Sequence, residues 1–365
     1  MKKILLVAAD GFSKTGVPTV FMNIVRNLSK IGFSFDIIYF DDRFNFFYDE
    51  FLSFGGRAFL FGKQHKNKFL RKLQRYISGH LYYKKTIEIL KKYGPYDAIH
   101  CFKEYGSCHF LKAAFVCGVK RRIYHCNNII VVGGNPINRL MMIEEKKKCL
   151  KYGNSFVGCS KKACLSAFGQ KVKFEIINNP YDNSLFFYTK KLKQNNNKIE
   201  LVQTGGFYDV KNQLFSIGVV SALREKYQNV LIHFVGMEVD SKYFNLMKKK
   251  IDELKLNNNV IFEDFNCDQK TIFDKCDYFI FPSKSEAFGI VLIEAQACGL
   301  RCFASDEIPE ETNVGGCIRL PLSLGCREWA NFIAKDNLSN KDKKEYDCSH
   351  FSIEQLVQSI INLYK

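Results

Sequence analysis

The chain has 365 residues, 47% hydrophobic and 25% charged, which is typical of a globular protein and excludes a disordered or fibrous one. No apolar run reaches the roughly 18 residues that a membrane span needs. Its 14 cysteines form no C-x-x-C pair, so we interpret them as reduced, small apolar side chains rather than disulfides or a zinc site. The net charge of +17 lies in the first half, since residues 1–185 hold 31 Lys and Arg against 13 Asp and Glu. That half is expected to meet an anionic partner: nucleic acid, a membrane surface or a phosphate-bearing substrate.

The first half alternates strand-like and helix-like segments. The opening KILLVAA predicts a buried strand and not a secretion signal, because Asp10 and Gly11 end the apolar run, and a cytoplasmic protein is expected. A helix-like PTVFMNIVRNLSKIG follows, with Pro18 near its first turn. Further predicted strands are FSFDIIYF, AFLF, YDAIHCF, RRIYHCN, SFVGCS and KFEIINN. This alternation predicts a mostly parallel sheet with helices on both faces.

A polar stretch, YTKKLKQNNNK at 188–198, interrupts the pattern and predicts an interdomain linker. The alternation then restarts with IELVQTGG, VLIHFVG, NVIFEDF, DYFIFPS and RCFAS as strands and a helix from about Phe288. We therefore predict an α/β protein with two doubly wound, Rossmann-like domains. Residues 1–185 form the first, residues 186–350 form the second, and residues 351–365 form a C-terminal helix that can cross back to the first.

Ten basic residues lie between Lys63 and Lys92, a segment in which leucine and isoleucine recur at helical spacing. The pattern predicts a basic amphipathic helix. One interpretation is an ordinary surface helix with its apolar stripe on the core. The other is docking to an anionic membrane surface, and both hold if the basic face points outward.

Two glutamates, Glu286 and Glu294, lie eight positions apart in SKSEAFGIVLIEAQACG, a stretch that is otherwise small and apolar. Carboxylates are rarely buried without partners. The preceding DYFIF predicts a buried strand, and residues 287–297 have helical periodicity, so Glu286 is predicted at the strand-to-helix turn and Glu294 two turns into the helix. Eight helical residues turn a side chain only about 80° from alignment. Both carboxylates can thus face one cleft at the carboxyl end of a parallel sheet.

The helix start between these glutamates should leave amides free near Phe288, Gly289 and Ile290, where phosphate can bind. The segment thus places an anion site between two carboxylates. This order matches a ligand with hydroxyls at both ends and phosphates between them, as in a nucleotide sugar. The alternative is a helix with two surface glutamates and no ligand. It explains the spacing poorly, because the helix is mostly apolar.

SEAFGIVLIEAQACG resembles the E-x7-E signature of the retaining glycosyltransferases of family 4, which have the GT-B fold of two Rossmann-like domains facing a central cleft. GGFYDVKNQ at 205–213 is similar to the family's phosphate-binding segment, and SDEIPEE to the segment after the signature helix. RRIYHCNN and CSKKACLSAFG resemble segments of the bacterial polysaccharide members, and KTGVPTV takes the place of their GGVE loop. The resemblance therefore extends over most of the chain.

By position, the resemblance implies that Glu294 binds the ribose hydroxyls and Glu286 the hydroxyls of the donor sugar. Lys211 would neutralise the diphosphate, and Gly16 would let the first-domain loop approach the phosphates. His125 would lie near the reacting carbon on the acceptor side; the alternative is a satisfied histidine at a strand end. The remaining implied donor-binding positions are Gly205, Ala287, Phe288 and Gly289, with the amides of Ile290 and Val291 on the phosphates.

The resemblance implies a hexosyltransferase-type enzyme that moves a sugar from a nucleotide-diphosphate sugar, a UDP-sugar above all, to a hydroxyl of a glycan. With the basic first half, it suggests a lipid-diphosphate-linked acceptor at the inner face of the cell membrane, as in O-antigen, lipopolysaccharide or capsule assembly. No D-x-D is present, so we expect no metal and no other cofactor. Two departures stand out: Gly206 occupies the family's Arg position, and Thr15-Gly16-Val17-Pro18 lacks the second Gly and the Glu of GGVE.

Three alternatives stay open from the sequence. A non-hydrolysing nucleotide-sugar epimerase shares this architecture, and the two departures are compatible with a catalytically weak scaffold homologue. Nucleic-acid binding fits the basic half. However, no zinc-finger, helix-turn-helix or RNA-binding aromatic motif appears, and we expect no nucleic-acid partner.

Overall fold

The computed structural model describes residues 1–9, 11–13, 15–42, 45–62, 68–103, 106–131, 135–189, 198–264, 266–339 and 344–365, with the main chain alone at 68–78, 338 and 339. These residues form two compact units. The first contains Met1–Pro180 and Ile353–Lys365, and the second contains Tyr181–Ser352. The boundaries proposed from the sequence, after residues 185 and 350, fall a few residues away from these.

The first unit is built on a seven-stranded sheet in which every pairing is parallel. Its order is β3-β2-β1-β4-β5-β6-β7. Strands at the centre are buried on both faces, which is why their sequences are continuous apolar runs without alternation. The strands are β1 (Lys2–Ala8), β2 (Phe33–Tyr39), β3 (Ala58–Leu60), β4 (Ala98–Cys101), β5 (Arg121–Cys126), β6 (Ser155–Gly158) and β7 (Glu175–Ile176).

Six α-helices in the described residues connect these strands. The predicted first helix is present, and Pro18 lies in its first turn, where a missing N–H costs nothing. The helices are α1 (Gly16–Leu28), α2 (Tyr48–Ser53), α3 (Lys68–Tyr93), α4 (Ser107–Val116), α5 (Pro136–Tyr152) and α6 (Lys161–Phe168). The alternation of strand and helix predicted for this half is thereby confirmed.

The second unit has a six-stranded sheet, again with only parallel pairings, of order β10-β9-β8-β11-β12-β13. Its strands are β8 (Lys198–Thr204), β9 (Asn229–Val235), β10 (Val260–Glu263), β11 (Tyr278–Phe281), β12 (Arg301–Ser305) and β13 (Cys317–Leu320). Its helices are α7 (Gln213–Arg224), α8 (Ser241–Glu253), α9 (Gln269–Lys275), α10 (Ile290–Ala297) and α11 (Gly325–Ser339). The sequence prediction did not include β13 or α11.

The last helix, α12 (Ile353–Tyr364), packs into the first unit. One face of this helix is buried in the same apolar core as β1 and α1, and it consists of Leu356, Ile360, Leu363 and Tyr364. The Lys2 ammonium donates to the Tyr364 carbonyl at 2.8 Å and ties the end of the helix to β1. This side of α12 is apolar because the core of the first unit covers it.

Part of the basic segment at 63–92 lies outside the described residues: 63–67 entirely, and 68–78 as far as side chains are concerned. Within the described part, α3 forms as predicted, and Lys84, Lys85, Lys91 and Lys92 are exposed on it. Of the predicted linker at 188–198, residues 190–197 also lie outside the described residues. Nowhere in the described ranges is a helix both long and apolar enough to cross a bilayer.

Candidate functional site

The strand order of the second unit changes direction between β8 and β11, its two central strands. In open parallel sheets this change leaves a crevice at the carboxyl ends of the two strands, and ligands bind there. The Thr204 and Ser283 hydroxyls lie at these ends, and neither buried oxygen has a hydrogen-bond partner among the described residues. Polar atoms buried in this way indicate a place for a ligand.

Lys211 is held in this crevice by its main chain. It ends a short 3₁₀ turn, and Asn212 follows in the left-handed region, at φ 57°. The Asn212 amide donates to the Pro282 carbonyl at 3.0 Å, and the Gln203 amide donates to the Lys211 carbonyl at 2.7 Å. Because these bonds reach the segments after β11 and within β8, the Lys211 main chain is tied to both central strands.

The Lys211 ammonium contacts the Glu286 carboxylate at 2.6 Å, so the structure brings together two of the residues selected from the sequence. Their side chains are only 16% and 12% exposed. Gly205, at φ 143°, lies beneath the lysine stem, and a Cβ there would be 3.3 Å from Lys211 Cε. The ammonium is also 5.4 Å from the centre of the Phe281 ring. A partly buried ion pair of this kind is sensitive to any third charge that enters the crevice.

Helix α10 begins at Ile290, two residues later than the predicted start at Phe288. Gly289 precedes it at φ 90°, a conformation that L side chains rarely adopt. A Cβ there would lie 3.2 Å from the Phe281 ring and 3.4 Å from Ile308. The amides of Ile290 and Val291 are therefore in the first turn and have no carbonyl within the helix to bind. Such amides are suited to an anion.

Glu294 lies just over one turn into α10, whereas the sequence prediction placed it two turns in, because the helix starts late. Burial and, to a smaller extent, the nearby Asp182 carboxylate together raise the pKa of its carboxyl to about 7. Among the described residues no cation or hydrogen-bond donor pairs with this side chain. Of the two glutamates, then, Glu286 holds a lysine, and Glu294 has no partner in the part of the chain that the structure describes. An unpaired carboxylate in an apolar helix is costly unless a ligand supplies donors.

The surroundings of Phe288 and Gly206 limit what these two positions can contribute to ligand binding. Phe288 is buried, and its ring lies 5.8 Å from that of Phe351, so its side chain is structural and only its main chain can face a ligand. At Gly206, a Cβ would approach Val239 Cγ2 to 2.7 Å. Val239 would have to move before this position could carry the arginine of the family pattern.

Gly16 and His125 belong to the first unit. Gly16 is the exposed first residue of α1, and no described neighbour lies within 4 Å of the place where a Cβ would be. His125 is fully buried near the end of β5, and burial lowers its pKa to about 3. Its Nδ1 is 3.0 Å from His100 Nε2, and its Nε2 has no hydrogen-bond partner in the described part of the chain. His125 is therefore a neutral imidazole with one nitrogen committed and one available.

Sequence reasoning missed two polar residues near His125. Asn127, two positions further on, is buried, and neither its amide nitrogen nor its amide oxygen has a partner among the described residues. His100, on the adjacent β4, bonds to His125. Asn127 lies inside the RRIYHCNN segment that carried the resemblance, so it could have been singled out. His100 carried no motif signal.

Comparison with known proteins gives these features a context. Residues 186–314 match the family described as Glycosyl transferases group 1. EpsF of Bacillus subtilis (strain 168), named as a glycosyltransferase, is 24% identical over 100% of this chain and 96% of its own. The capsular polysaccharide biosynthesis glycosyltransferase CapH of Staphylococcus aureus is 27% identical over 48% of this chain and 49% of its own. The chain is a glycosyltransferase with the GT-B fold.

Solved structures agree on the fold of this glycosyltransferase. The crystal structure of Anabaena Alr3699/HepE in complex with UDP superposes with a TM-score of 0.74, at 17% identity over 99% of both chains. The apo form of the lipopolysaccharide outer core galactosyltransferase WaaB superposes at 0.71, with 13% identity over 99% of this chain and 98% of that one. The matched residues 186–314 contain Lys211, Glu286 and Glu294, and the first-unit residues Gly16 and His125 lie outside them.

Within the described residues, no cluster of three or more His, Cys, Asp or Glu is placed to hold a metal ion. Among the described residues, the ion pair of Lys211 with Glu286 lies at the crevice of this glycosyltransferase, and Glu294 lies on α10. They offer one cation and two carboxylates beside a helix N-terminus.

Proposed function

We propose that this enzyme is a retaining glycosyltransferase that moves a sugar from a UDP-sugar to a hydroxyl of a lipid-linked glycan, in the assembly of a cell-surface polysaccharide. The observation that carries the proposal is the 2.6 Å contact between Lys211 and Glu286 at the crevice between β8 and β11. A cation, a carboxylate and the free amides of α10 are thereby grouped where a parallel sheet binds its ligand. These are the groups that a sugar diphosphate needs.

The departing diphosphate would be stabilised by Lys211 and by the amides of Ile290 and Val291. As the sugar–phosphate bond breaks, the sugar becomes oxocarbenium-like and negative charge grows on the diphosphate. Preorganised donors that point at such a charge are usually the largest single contribution to catalysis. Lys211 would turn from Glu286 towards the phosphates. The diphosphate then replaces one anionic partner of the ammonium with another.

The two glutamates would have separate roles. Glu286, released by Lys211, would accept hydrogen bonds from hydroxyls of the donor sugar, beside the main chain of Ala287, Phe288 and Gly289. Glu294, which has no partner in the described chain, would accept them from the ribose. Gly205 lets the lysine stem lie close to the end of β8, and Gly16 would let the loop after β1 approach the phosphates.

His125 would contribute as a hydrogen-bonding group near the reacting carbon. A nitrogen whose pKa is about 3 is a poor proton acceptor near neutral pH. Retention is the outcome that the family 4 resemblance implies, with attack on the face from which the leaving group departs. We propose that the reaction needs no metal, because Lys211 and the α10 amides would provide the charge stabilisation.

The donor and acceptor proposals draw on the relatives. HepE of Anabaena was crystallised with UDP and, separately, with UDP-glucose, which supports a UDP-sugar. CapH is named for capsular polysaccharide biosynthesis, which supports a glycan acceptor. The net +17, concentrated in the first half, supports an acceptor carried by an anionic membrane, with the protein peripheral on the inner, cytoplasmic face.

The test is a donor panel. UDP-, GDP- and ADP-sugars are incubated with the protein and with lipid-linked oligosaccharide acceptors, and release of the nucleoside diphosphate is measured. We expect acceptor-dependent release with one nucleotide class, and an anomeric configuration in the product, determined by NMR, that equals that of the donor. Inversion would contradict the retaining assignment. Epimerisation of the donor without acceptor would contradict transfer and favour the epimerase.

Glu286→Gln and Lys211→Ala serve as matched variants in this assay. Both change the same ion pair from opposite sides, so both should abolish most turnover while leaving the fold of the first unit intact. Wild-type turnover in both variants would show that the observation at the base of the proposal has no part in the reaction.

A further inference from the structure

Helix α5 of the first unit exposes aliphatic side chains and holds charged ones in contacts with the protein. The Glu145 carboxylate accepts a hydrogen bond from the Gly106 N–H. The Lys146 ammonium donates to the Ser166 carbonyl at 3.2 Å. The side that faces solvent instead carries three aliphatic residues, exposed by 63%, 63% and 41%: Ile137, Leu140 and Ile143. An ordinary surface helix has the opposite arrangement, with polar residues on its solvent side.

These three side chains form one ridge along α5, which we call the α5 ridge. They follow one another at intervals of three residues, so they are neighbours on the helix surface and not scattered positions. Val131, on the segment that leads into the helix, is 69% exposed as well. Single exposed aliphatic residues are ordinary, whereas a continuous group of them marks a surface that contacts a partner.

The charged residues around the α5 ridge are basic. In α5, which is described throughout, every charged residue that is exposed is a cation: Arg139, Lys147, Lys148 and Lys151. The half-buried Glu144 carboxylate lies 3.1 Å from the Lys147 ammonium, which compensates its charge. The ridge is therefore continuous with a positive surface over the last two turns of the helix.

The neighbouring helices extend this positive surface. Helix α4 contacts both α3 and α5, contains no acidic residue and exposes Lys112. The Lys112 ammonium lies 5.0 Å from the centre of the Tyr83 ring and so connects α4 to α3. On the described side chains of α3, one exposed glutamate, Glu88, accompanies four exposed lysines: Lys84, Lys85, Lys91 and Lys92. An apolar ridge within a cationic layer fits an anionic partner that also has an apolar interior.

A lipid bilayer has this combination. Lysine is depleted at contacts between proteins. Helices that lie in the surface of a bilayer, in contrast, combine aliphatic side chains with lysine and arginine, whose long stems let the charge reach the lipid phosphates. The lysines around the α5 ridge thus favour lipid over a second protein.

We propose that the α5 ridge docks the first unit on an anionic lipid bilayer. Ile137, Leu140 and Ile143 enter the boundary between headgroups and acyl chains, and the lysines of the last two turns contact lipid phosphates. The location at the inner face of the cell membrane rests on the proposed function; the contact with a bilayer does not.

The position of α5 gives this docking a consequence for a lipid-carried glycan. The helix follows β5 and connects it to the parallel neighbour β6, so it begins near the carboxyl end of β5. Asn127 lies at the same edge of the sheet, and neither atom of its buried amide has a partner among the described residues. Docking through the α5 ridge therefore brings this polar edge of the first unit to the membrane surface.

Tryptophan fluorescence tests the insertion directly. The chain has one tryptophan, Trp329, which is fully buried in the second unit, so Leu140→Trp adds a reporter at the ridge. On mixed phosphatidylglycerol and phosphatidylcholine vesicles, we expect its emission to shift to shorter wavelength and lipids brominated on their acyl chains to quench it. The control is Ile31→Trp, at a position 55% exposed in a 3₁₀ turn before β2, which should not respond. An unquenched Leu140→Trp, or equal quenching at both positions, would overturn the proposal.

Sedimentation with the same vesicles measures what the ridge contributes to binding. Ile137→Ser/Leu140→Ser should lower the partition coefficient about tenfold or more. The factor should be the same at every salt concentration, because the lost contact is apolar and salt screens only charges. Ile31→Ser should bind as wild type does, and thermal unfolding checks that both variants are folded. Equal binding of wild type and the double variant would contradict the proposal. So would a wild-type dimer that becomes a monomer in the double variant, since the ridge would then join two copies.

Transfer assays separate docking from catalysis. The double variant should be slowed with a lipid-linked acceptor in anionic vesicles, by about its loss of binding, and should match wild type with a water-soluble acceptor analogue. Equal losses with both acceptors would show that the ridge does not act by docking. If wild type transfers to neither acceptor, the proposed function fails, and the fluorescence of Leu140→Trp still decides whether the ridge enters the bilayer.

Discussion

Replacing Glu294 with Gln should stabilise the ligand-free protein at alkaline pH while it weakens ligand binding. The carboxyl has its pKa raised from 4.5 to about 7 by burial and by Asp182. The folded protein thus holds this proton more tightly than the unfolded chain does between about pH 4.5 and 7. The free energy of unfolding therefore falls as pH rises through that interval, and the full cost is present above pH 7. Glutamine keeps the shape and never ionises.

The size of the effect follows from the displaced pKa. At 1.36 kcal/mol per pH unit, a change from 4.5 to about 7 corresponds to roughly 3 kcal/mol. The Glu294 side chain is partly exposed, so solvent screening reduces this value, and we expect about 1–2 kcal/mol at pH 8. At pH 4.5 or below, wild type and variant should be equally stable. Urea unfolding at pH 4.5, 6 and 8 measures the difference.

Glu286→Gln is the control, because Glu286 is paired with Lys211 at 2.6 Å and its charge is compensated. It should gain no stability at pH 8. A Glu294→Gln variant whose stability relative to wild type is the same at pH 4.5 and pH 8 would refute the reasoning about the unpaired carboxylate. Weaker binding of a nucleoside diphosphate to Glu294→Gln, by about tenfold or more, is expected if charge-assisted bonds to the ribose are lost.

Three further predictions concern the cation, the metal and the membrane. Lys211→Ala should lower kcat at least 10²–10³-fold, the range for one preorganised donor, and Lys211→Arg should restore part of the loss. If Lys211→Ala keeps more than about a tenth of wild-type turnover, another group holds the phosphates. Turnover should survive EDTA, and a loss restored by manganese or magnesium would contradict the metal-free assignment. The protein should sediment with anionic vesicles at low salt and be released as ionic strength rises. The double variant Lys84→Glu/Lys85→Glu should bind these vesicles less strongly. Equal binding to neutral vesicles would contradict membrane docking through charge.

Much of the fold was predictable because central parallel strands leave an unambiguous sequence signal. Runs such as KILLVAA and DYFIF are buried on both faces, so they are continuously apolar and short. The edge strand β13, Cys317–Leu320, was missed: it is only four residues long, it contains Arg319, and it follows a turn-rich stretch. The start of α10 was predicted two residues early, because Gly289 takes a left-handed conformation that periodicity does not report.

In the candidate site, too, features with a local sequence pattern were predictable and tertiary contacts were not. The spacing of Glu286 and Glu294 drew attention to both carboxylates, but a sequence contains no information on which of them has a partner. That Lys211 reaches Glu286 depends on the Asn212 turn and on the pairing of β8 with β11. The contact of Tyr364 with His100 depends on where α12 packs. Tertiary contacts of this kind leave no local motif.

The central claim is that a nucleoside diphosphate binds beside Lys211 at the carboxyl ends of β8 and β11, and a thermal-unfolding panel tests it most directly. Nucleosides, nucleoside monophosphates and nucleoside diphosphates are compared on wild type and on Lys211→Ala, each relative to its own ligand-free form. At about 100 times the dissociation constant, the matching diphosphate should stabilise wild type by roughly 2.7 kcal/mol. The same concentration should stabilise Lys211→Ala far less, and nucleosides should do little to either. Equal stabilisation of both proteins, or none of wild type by any diphosphate, would contradict the claim.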